Sequence, residues 1–215
     1  MAKLKNIISA VVLLLLLICQ NAEVLGYGYG LKGKDTLVTV YEDISGFLEK
    51  NDYEIIKTAL ERIEVPLVNY HQYYGIDLKP LFLDAIARHD KEAVFVDMEK
   101  LIYFAIREKI YWNKKENLEK QVAAKARLRV MLQYYELLRP RIKSYDQKNH
   151  SAFNSEIVEL LVGMSKCLGT AGSFGYNAEP ANPAEFIRLS QRLEEALVVI
   201  FPHFEDGYKA VINAH

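Results

Sequence analysis

Disulfide bonds are the first thing this sequence excludes. The chain has two cysteines in 215 residues, Cys19 and Cys167, and Cys19 lies in an N-terminal apolar run that reads as a cleaved leader. One remaining cysteine cannot form an internal bridge, so the fold rests on its core. The 51% hydrophobic composition is enough for one. Six prolines and eleven glycines give sparse punctuation, and no stretch alternates with period two, so strands are not expected. Charge of one sign is also lacking: 27 Lys and Arg stand against 28 Asp and Glu. No basic excess points to nucleic acid or an anionic membrane surface. Catalytic motifs are missing as well. There is no Cys-x-x-Cys-His, no Gly-x-Ser-x-Gly, and the glycines from Gly169 to Gly175 lack the lysine and preceding strand of a phosphate loop. No nucleophile, base and orienting group occur together, so the expectation is a protein that is not an enzyme.

What is present begins at the N-terminus. Lys3 and Lys5 precede an apolar run from Ile7 to Ile18 interrupted only by Ser9, and Val24-Leu25-Gly26 follows. That is the layout of a secretory signal peptide, and it predicts cleavage after Gly26 with export to the periplasm or beyond. The run is too short to span a bilayer, so no transmembrane segment is expected once the leader is removed. A retained anchor and a lipid on Cys19 are the alternatives, although Ile18 stands where lipoprotein signals carry a small residue. Residues 27–34, Tyr-Gly-Tyr-Gly-Leu-Lys-Gly-Lys, read as a flexible lead, and 35–215 as the folded domain.

That domain reads as all-α, an up-and-down antiparallel helical bundle. A first helix is expected over 36–50, with a break near Gly46. A second runs from Asp52 to Tyr74, with an inner face of Ile55, Ile56, Leu60, Ile63, Leu67 and Val68. Pro66 predicts a kink or two abutting helices, and Gly75 a stop. Asp77 opens a third helix to about Arg88, and Asp90 a fourth to about Trp112. The fifth, from about Glu116 to Tyr145, carries an inner stripe from Ala124 to Ile142 and is expected to end or bend at Pro140. A sixth covers 151–168. A seventh starts at Asn182-Pro183 and closes at Pro202, with a short tail helix after Gly207. The connection 169–183 is long for a compact bundle.

Fourteen tyrosines against one tryptophan draw the eye to Tyr70-His71-Gln72-Tyr73-Tyr74. His71 and Tyr74 are three apart, hence on one helix face, and imidazole with phenolate suits ferric or cupric ions. His89 and Glu92 repeat a spacing that can bind a metal from one turn, although Asp90 as a cap would leave His89 outside the helix. His203 and Asp206 share it, in what Pro202 and Gly207 suggest is a turn. Asp97 and Glu108 bound an apolar stripe and read either as inward metal ligands or as partners of Lys125, Arg127 or Arg129. A non-covalent haem on His71 with Met98, Met131 or Met164 is a further alternative. Each cluster also has a plain structural reading, as helix ends packed on the core or as surface ion pairs.

An exported, cysteine-poor bundle with helix-borne His, Tyr and acids resembles the imelysin-type and permease-associated extracytoplasmic domains of bacterial iron uptake. Their Gly-x-His-x-x-Glu signature is matched loosely by Ala87-Arg88-His89-Asp90-Lys91-Glu92, with Ala87 in place of glycine. The permease's own Arg-Glu-Gly-Leu-Glu motif is absent. The resemblance implies iron as ligand and an envelope protein or permease as partner. A protein-interaction or structural bundle without metal is the alternative.

Overall fold

Asp and Asn side chains start five of the helices. Asp35, Asp52, Asp77, Asp90 and Asn182 each accept a backbone N–H two or three residues on, from Leu37, Ile55, Lys79, Ala93 and Glu185. These bonds satisfy donors that the helix itself leaves free. The computed structural model describes residues 33–170 and 178–210, and the described chain is all-α. Its helices are α1 (Thr36–Glu49), α2 (Tyr53–Glu61), α3 (Glu64–Tyr74), α4 (Leu78–Ala87), α5 (Lys91–Lys115), α6 (Gln121–Asn149), α7 (Phe153–Lys166), α8 (Pro183–Ile200) and α9 (Glu205–Lys209). A 3-10 turn, Pro202–Phe204, joins α8 to α9. The expected leader 1–26 and most of the lead 27–34 lie outside the described residues, as does 171–177 of the long connection.

Several boundaries differ from the sequence expectation, each for a local reason. Segment 52–74 is two helices, and the break falls at Arg62-Ile63 rather than at Pro66. Pro66 lies in the first turn of α3, where a backbone N–H has no intrahelical acceptor to lose. Gly75, at φ 70, ends α3 in the left-handed conformation as expected. Gly46 does not break α1. α6 begins at Gln121 rather than 116, because Asn117 and Leu118 take positive φ and Leu118 is buried. It then runs straight through Pro140. Pro140 is exposed, while Leu138 and Ile142 on either side are buried, so packing holds the helix across the missing N–H. The tail helix α9 contains Gly207 instead of following it.

α5, α6, α7 and α8 pack in a closed ring, each on the next and α8 back on α5. α1 lies against α5 and α6, α2 against α1 and α4, and α4 against α5. The inner stripe expected of α6, from Ala124 to Ile142, is buried, but Ile55 and Val68 are 44% and 45% exposed and do not belong to the core. A cavity of about 10 Å³ lies inside the ring between Ile106, Met131, Leu161 and Leu197, room for one water-sized sphere. α5 has no solvent face for most of its length. Val94, Met98, Leu101, Ile102, Tyr103, Phe104, Ala105, Ile106 and Ile110 are all buried, as expected of a helix enclosed by its neighbours.

Candidate functional site

A polar side chain on an enclosed helix needs partners, because burial without them is costly. On α5 three polar residues recur at four-residue spacing and so share one face: Glu99, Tyr103 and Arg107. The segment after α8 lies across this face. The chain leaves α8 at Phe201, turns through Pro202–Phe204, and returns as α9 against α5.

Glu99 is 3% exposed. Its Oε1 accepts a hydrogen bond from Arg141 Nη1 on α6 at 3.1 Å. Its Oε2 lies 3.0 Å from Nε2 of His203, yet the two form no hydrogen bond with each other. Arg141 also donates to Glu92 at 3.0 Å. Tyr41 of α1 faces the same charges. Burial, then the Glu99 charge, push its phenol up to about 12, with Arg141 opposing. One turn on, the Tyr103 ring stacks on Phe204 at 4.4 Å and 4°, and its hydroxyl has no hydrogen-bond partner. Burial also raises the Tyr103 pKa strongly, so the phenol stays protonated.

Arg107 completes the ladder. Its Nε donates to Glu194 Oε1 of α8 at 2.7 Å, and both side chains are about nine-tenths buried. Its Nη1 donates to the carbonyls of Gly207 and Ala210. Its guanidinium lies 5.4 Å from the centre of the Tyr74 ring. Lys114 lies close to the same pair. Burial lowers its pKa, with Glu194 opposing and Arg107 adding. Gly207 fits only because it lacks a side chain, since a Cβ there would collide with the Phe104 ring.

The residues singled out by sequence fall into separate places. Tyr70 and Tyr74 face inward and His71 faces out. Tyr70 donates to Glu108 Oε2 at 3.1 Å, and Tyr74 to the Phe104 carbonyl at 2.9 Å. Burial, then Glu108, hold the Tyr70 phenol well above its ordinary pKa, which opposes the phenolate a metal would need. The His71 side chain is 54% exposed, with Nδ1 3.8 Å from Asp77. His89 takes φ 52 between α4 and α5, outside the helix as its capping neighbour implied, and stacks on Tyr53 at 4.5 Å. Glu92 is held by Arg141, away from that stack. Asp97 and Glu108 are eleven residues apart on α5, about 16 Å along its axis. Asp97 lies 3.6 Å from Lys100, and Glu108 2.8 Å from Lys109, while Arg127 donates to Asn113 and Glu116. Met98, Met131 and Met164 are core residues. Among the described residues no group of three or more His, Cys, Asp or Glu is placed to hold a metal ion.

Glu99, Arg107 and Glu194 had no place among the sequence candidates, and His203 was read only with Asp206. The signal was present. Four-residue spacing of Glu, Tyr and Arg within an otherwise apolar α5 marks polar groups that must be matched inside the fold. Chemically the ladder offers a carboxylate, an aromatic ring and a guanidinium in line, a set suited to holding a peptide segment. No protein-family model, curated protein or solved structure matches this chain.

Proposed function

We propose that this chain is an exported, non-enzymatic helical bundle that works by binding a protein partner in the cell envelope. The observation that carries this reading is α3, which is apolar on two sides. Leu67, Tyr70 and Tyr74 pack inward, while Val65 and Val68 are 69% and 45% exposed. The Lys79–Glu64 ion pair, 2.7 Å, brings the start of α4 beside the start of α3. Leu83, one turn on from Lys79, is 43% exposed. Val65, Val68 and Leu83 around an ion pair suit the apolar face of a partner helix with a charged rim.

The iron reading, with a permease as partner, is the competitor. Two of its donors are committed inside the fold, Tyr70 to Glu108 and Tyr74 to a backbone carbonyl, and Glu92 is paired with Arg141 at the surface. The test uses the full chain with a photo-crosslinker at position 65 in its native compartment. A specific adduct is expected, lost in Val68→Glu and Leu83→Glu variants whose helicity and melting match wild type. Iron, copper and zinc are titrated calorimetrically in parallel. Stoichiometric binding weakened by His71→Ala, with no adduct, overturns the proposal in favour of a metal carrier. N-terminal sequencing of the exported form is expected to begin at Tyr27.

A further inference from the structure

Independently of the α3 face, we infer that the Glu99–Tyr103–Arg107 ladder is a peptide-binding seat occupied in cis by the chain's own tail. The tail defines what fits. His203 meets Glu99, Phe204 stacks on Tyr103, and the Gly207 and Ala210 carbonyls accept from Arg107. A partner segment of the same chemistry takes the tail's place. It presents an imidazole or another basic side chain, an aromatic ring beside it, and open backbone carbonyls four and seven residues beyond that side chain.

The seam is unevenly satisfied. Among the described residues four buried side-chain polar atoms lack a well-formed hydrogen bond, and three lie here: Glu99 Oε2 and His203 Nε2, which face each other at 3.0 Å, and Tyr103 Oη. Buried polar atoms are rarely left so, and water reaches all three when the tail lifts. Lifting therefore recovers hydration at the Glu99 and Tyr103 rungs. The tail leaves α8 through Phe201-Pro202, where helical geometry has already ended, so a swing about Pro202 leaves the hydrogen bonds of α8 in place. Phe204, 1% exposed, is the apolar anchor that keeps the closed state dominant. Gly207 makes the seat selective, because any side chain there strikes Phe104.

The test is complementation of the full-length Phe204→Ala variant by a capped peptide with the sequence of residues 201–210. The variant's own tail lacks the anchor, and the added peptide supplies it. Its melting temperature is expected to rise with peptide concentration, as for any ligand of the folded state. Wild type, with its seat filled, is expected to shift far less. Glu99→Gln in the variant is expected to weaken peptide binding about tenfold, by removing the charge from one contact. A peptide with alanine in place of its Phe204 equivalent is expected to give no shift. A variant that is folded by circular dichroism yet unaffected by millimolar peptide overturns the proposal. Should Phe204→Ala fail to fold, hydrogen exchange on wild type decides. The Phe204 and Ala210 amides are expected to exchange at least tenfold faster than those of Ile102 and Ala105. Equal rates, meaning that the tail opens only with the whole domain, overturn it.

Discussion

Removing the Arg107 guanidinium should be among the most damaging single changes in this fold. Arg107→Met keeps most of the side-chain volume and deletes the charge. Glu194, 7% exposed and hydrogen-bonded to Arg107 Nε at 2.7 Å, becomes a buried carboxylate without its partner. Breaking a buried pair in this way costs about 3–5 kcal/mol. The carbonyls of Gly207 and Ala210 lose the same donor, and the contact with the Tyr74 ring disappears. Total stabilities of single domains are about 5–15 kcal/mol, so the variant approaches the edge of folding. For a domain of this size the loss corresponds to a melting-point drop of roughly 6–20 °C. Urea denaturation followed by circular dichroism at constant pH measures it. The companion Arg107→Met/Glu194→Met removes the stranded charge and should recover about half of the loss, because an apolar pair of similar volume is often neutral. A single variant costing under about 1 kcal/mol, or a double variant no better than the single, refutes the view that this pair is buried and coupled.

Three further outcomes are expected. Asp146 on α6 accepts hydrogen bonds from the Phe153 and Asn154 N–H groups and the Ser151 hydroxyl, and so caps α7 from outside. Burial works to raise its pKa, but these bonds outweigh it and the net shift is downward. Asp146→Ala should cost about 1–2 kcal/mol near neutral pH. Because the folded pKa is depressed, the gap should persist above the unfolded value near 4 and vanish in titrations that go below the folded one. Asp97 is the reverse case, with burial raising its pKa and Lys100 opposing. Its raised pKa favours folding at low pH and is a liability as pH rises, so Asp97→Asn should match or exceed wild type at pH 7 and lose that advantage in acid. Pro140→Ala should raise stability by about 1–2 kcal/mol in the same denaturation assay, by restoring an amide to an exposed position inside α6.

Periodicity alone located the long helices and nearly all of their inner faces. The cause is physical: in α6 and α8 one stripe faces the ring, so the 3.6-residue period is the burial pattern itself. Capping was equally legible at Asp52, Asp77, Asp90 and Asn182, because a short polar side chain before an apolar run has few other uses. Two prolines misled in the same direction. Pro66 broke nothing because its position in the first turn needed no N–H, and Pro140 ended nothing because Leu138 and Ile142 anchor the helix around it. α3 was over-assigned to the core, since a helix apolar on two sides does not reveal which side packs. The candidate donors were read by spacing along single helices. The fold instead makes its polar contacts between helices, joining Glu99 to Arg141 and His203, and Arg107 to Glu194. Such pairs lie 42 to 104 residues apart in the chain, and nothing in local spacing encodes them.

The ladder on α5 also bears on how the tail finds its place. Apolar rings are tolerant of sliding: Phe204 could stack on Phe104 nearly as well as on Tyr103. A slip of the tail by one turn would put His203 against Tyr103. Glu99 would then lose the imidazole it faces, and Arg107 would lose the carbonyls it holds at Gly207 and Ala210. Each mismatch buries a charged group with fewer partners, at a cost that far exceeds any difference between ring stacks. Apolar burial therefore supplies the strength of this seam, and the polar rungs at Glu99 and Arg107 supply its register. The same division explains why a seat for a tail is built on the most enclosed helix of the fold. Only there is desolvation complete enough for a carboxylate and a guanidinium to discriminate one alignment from the next.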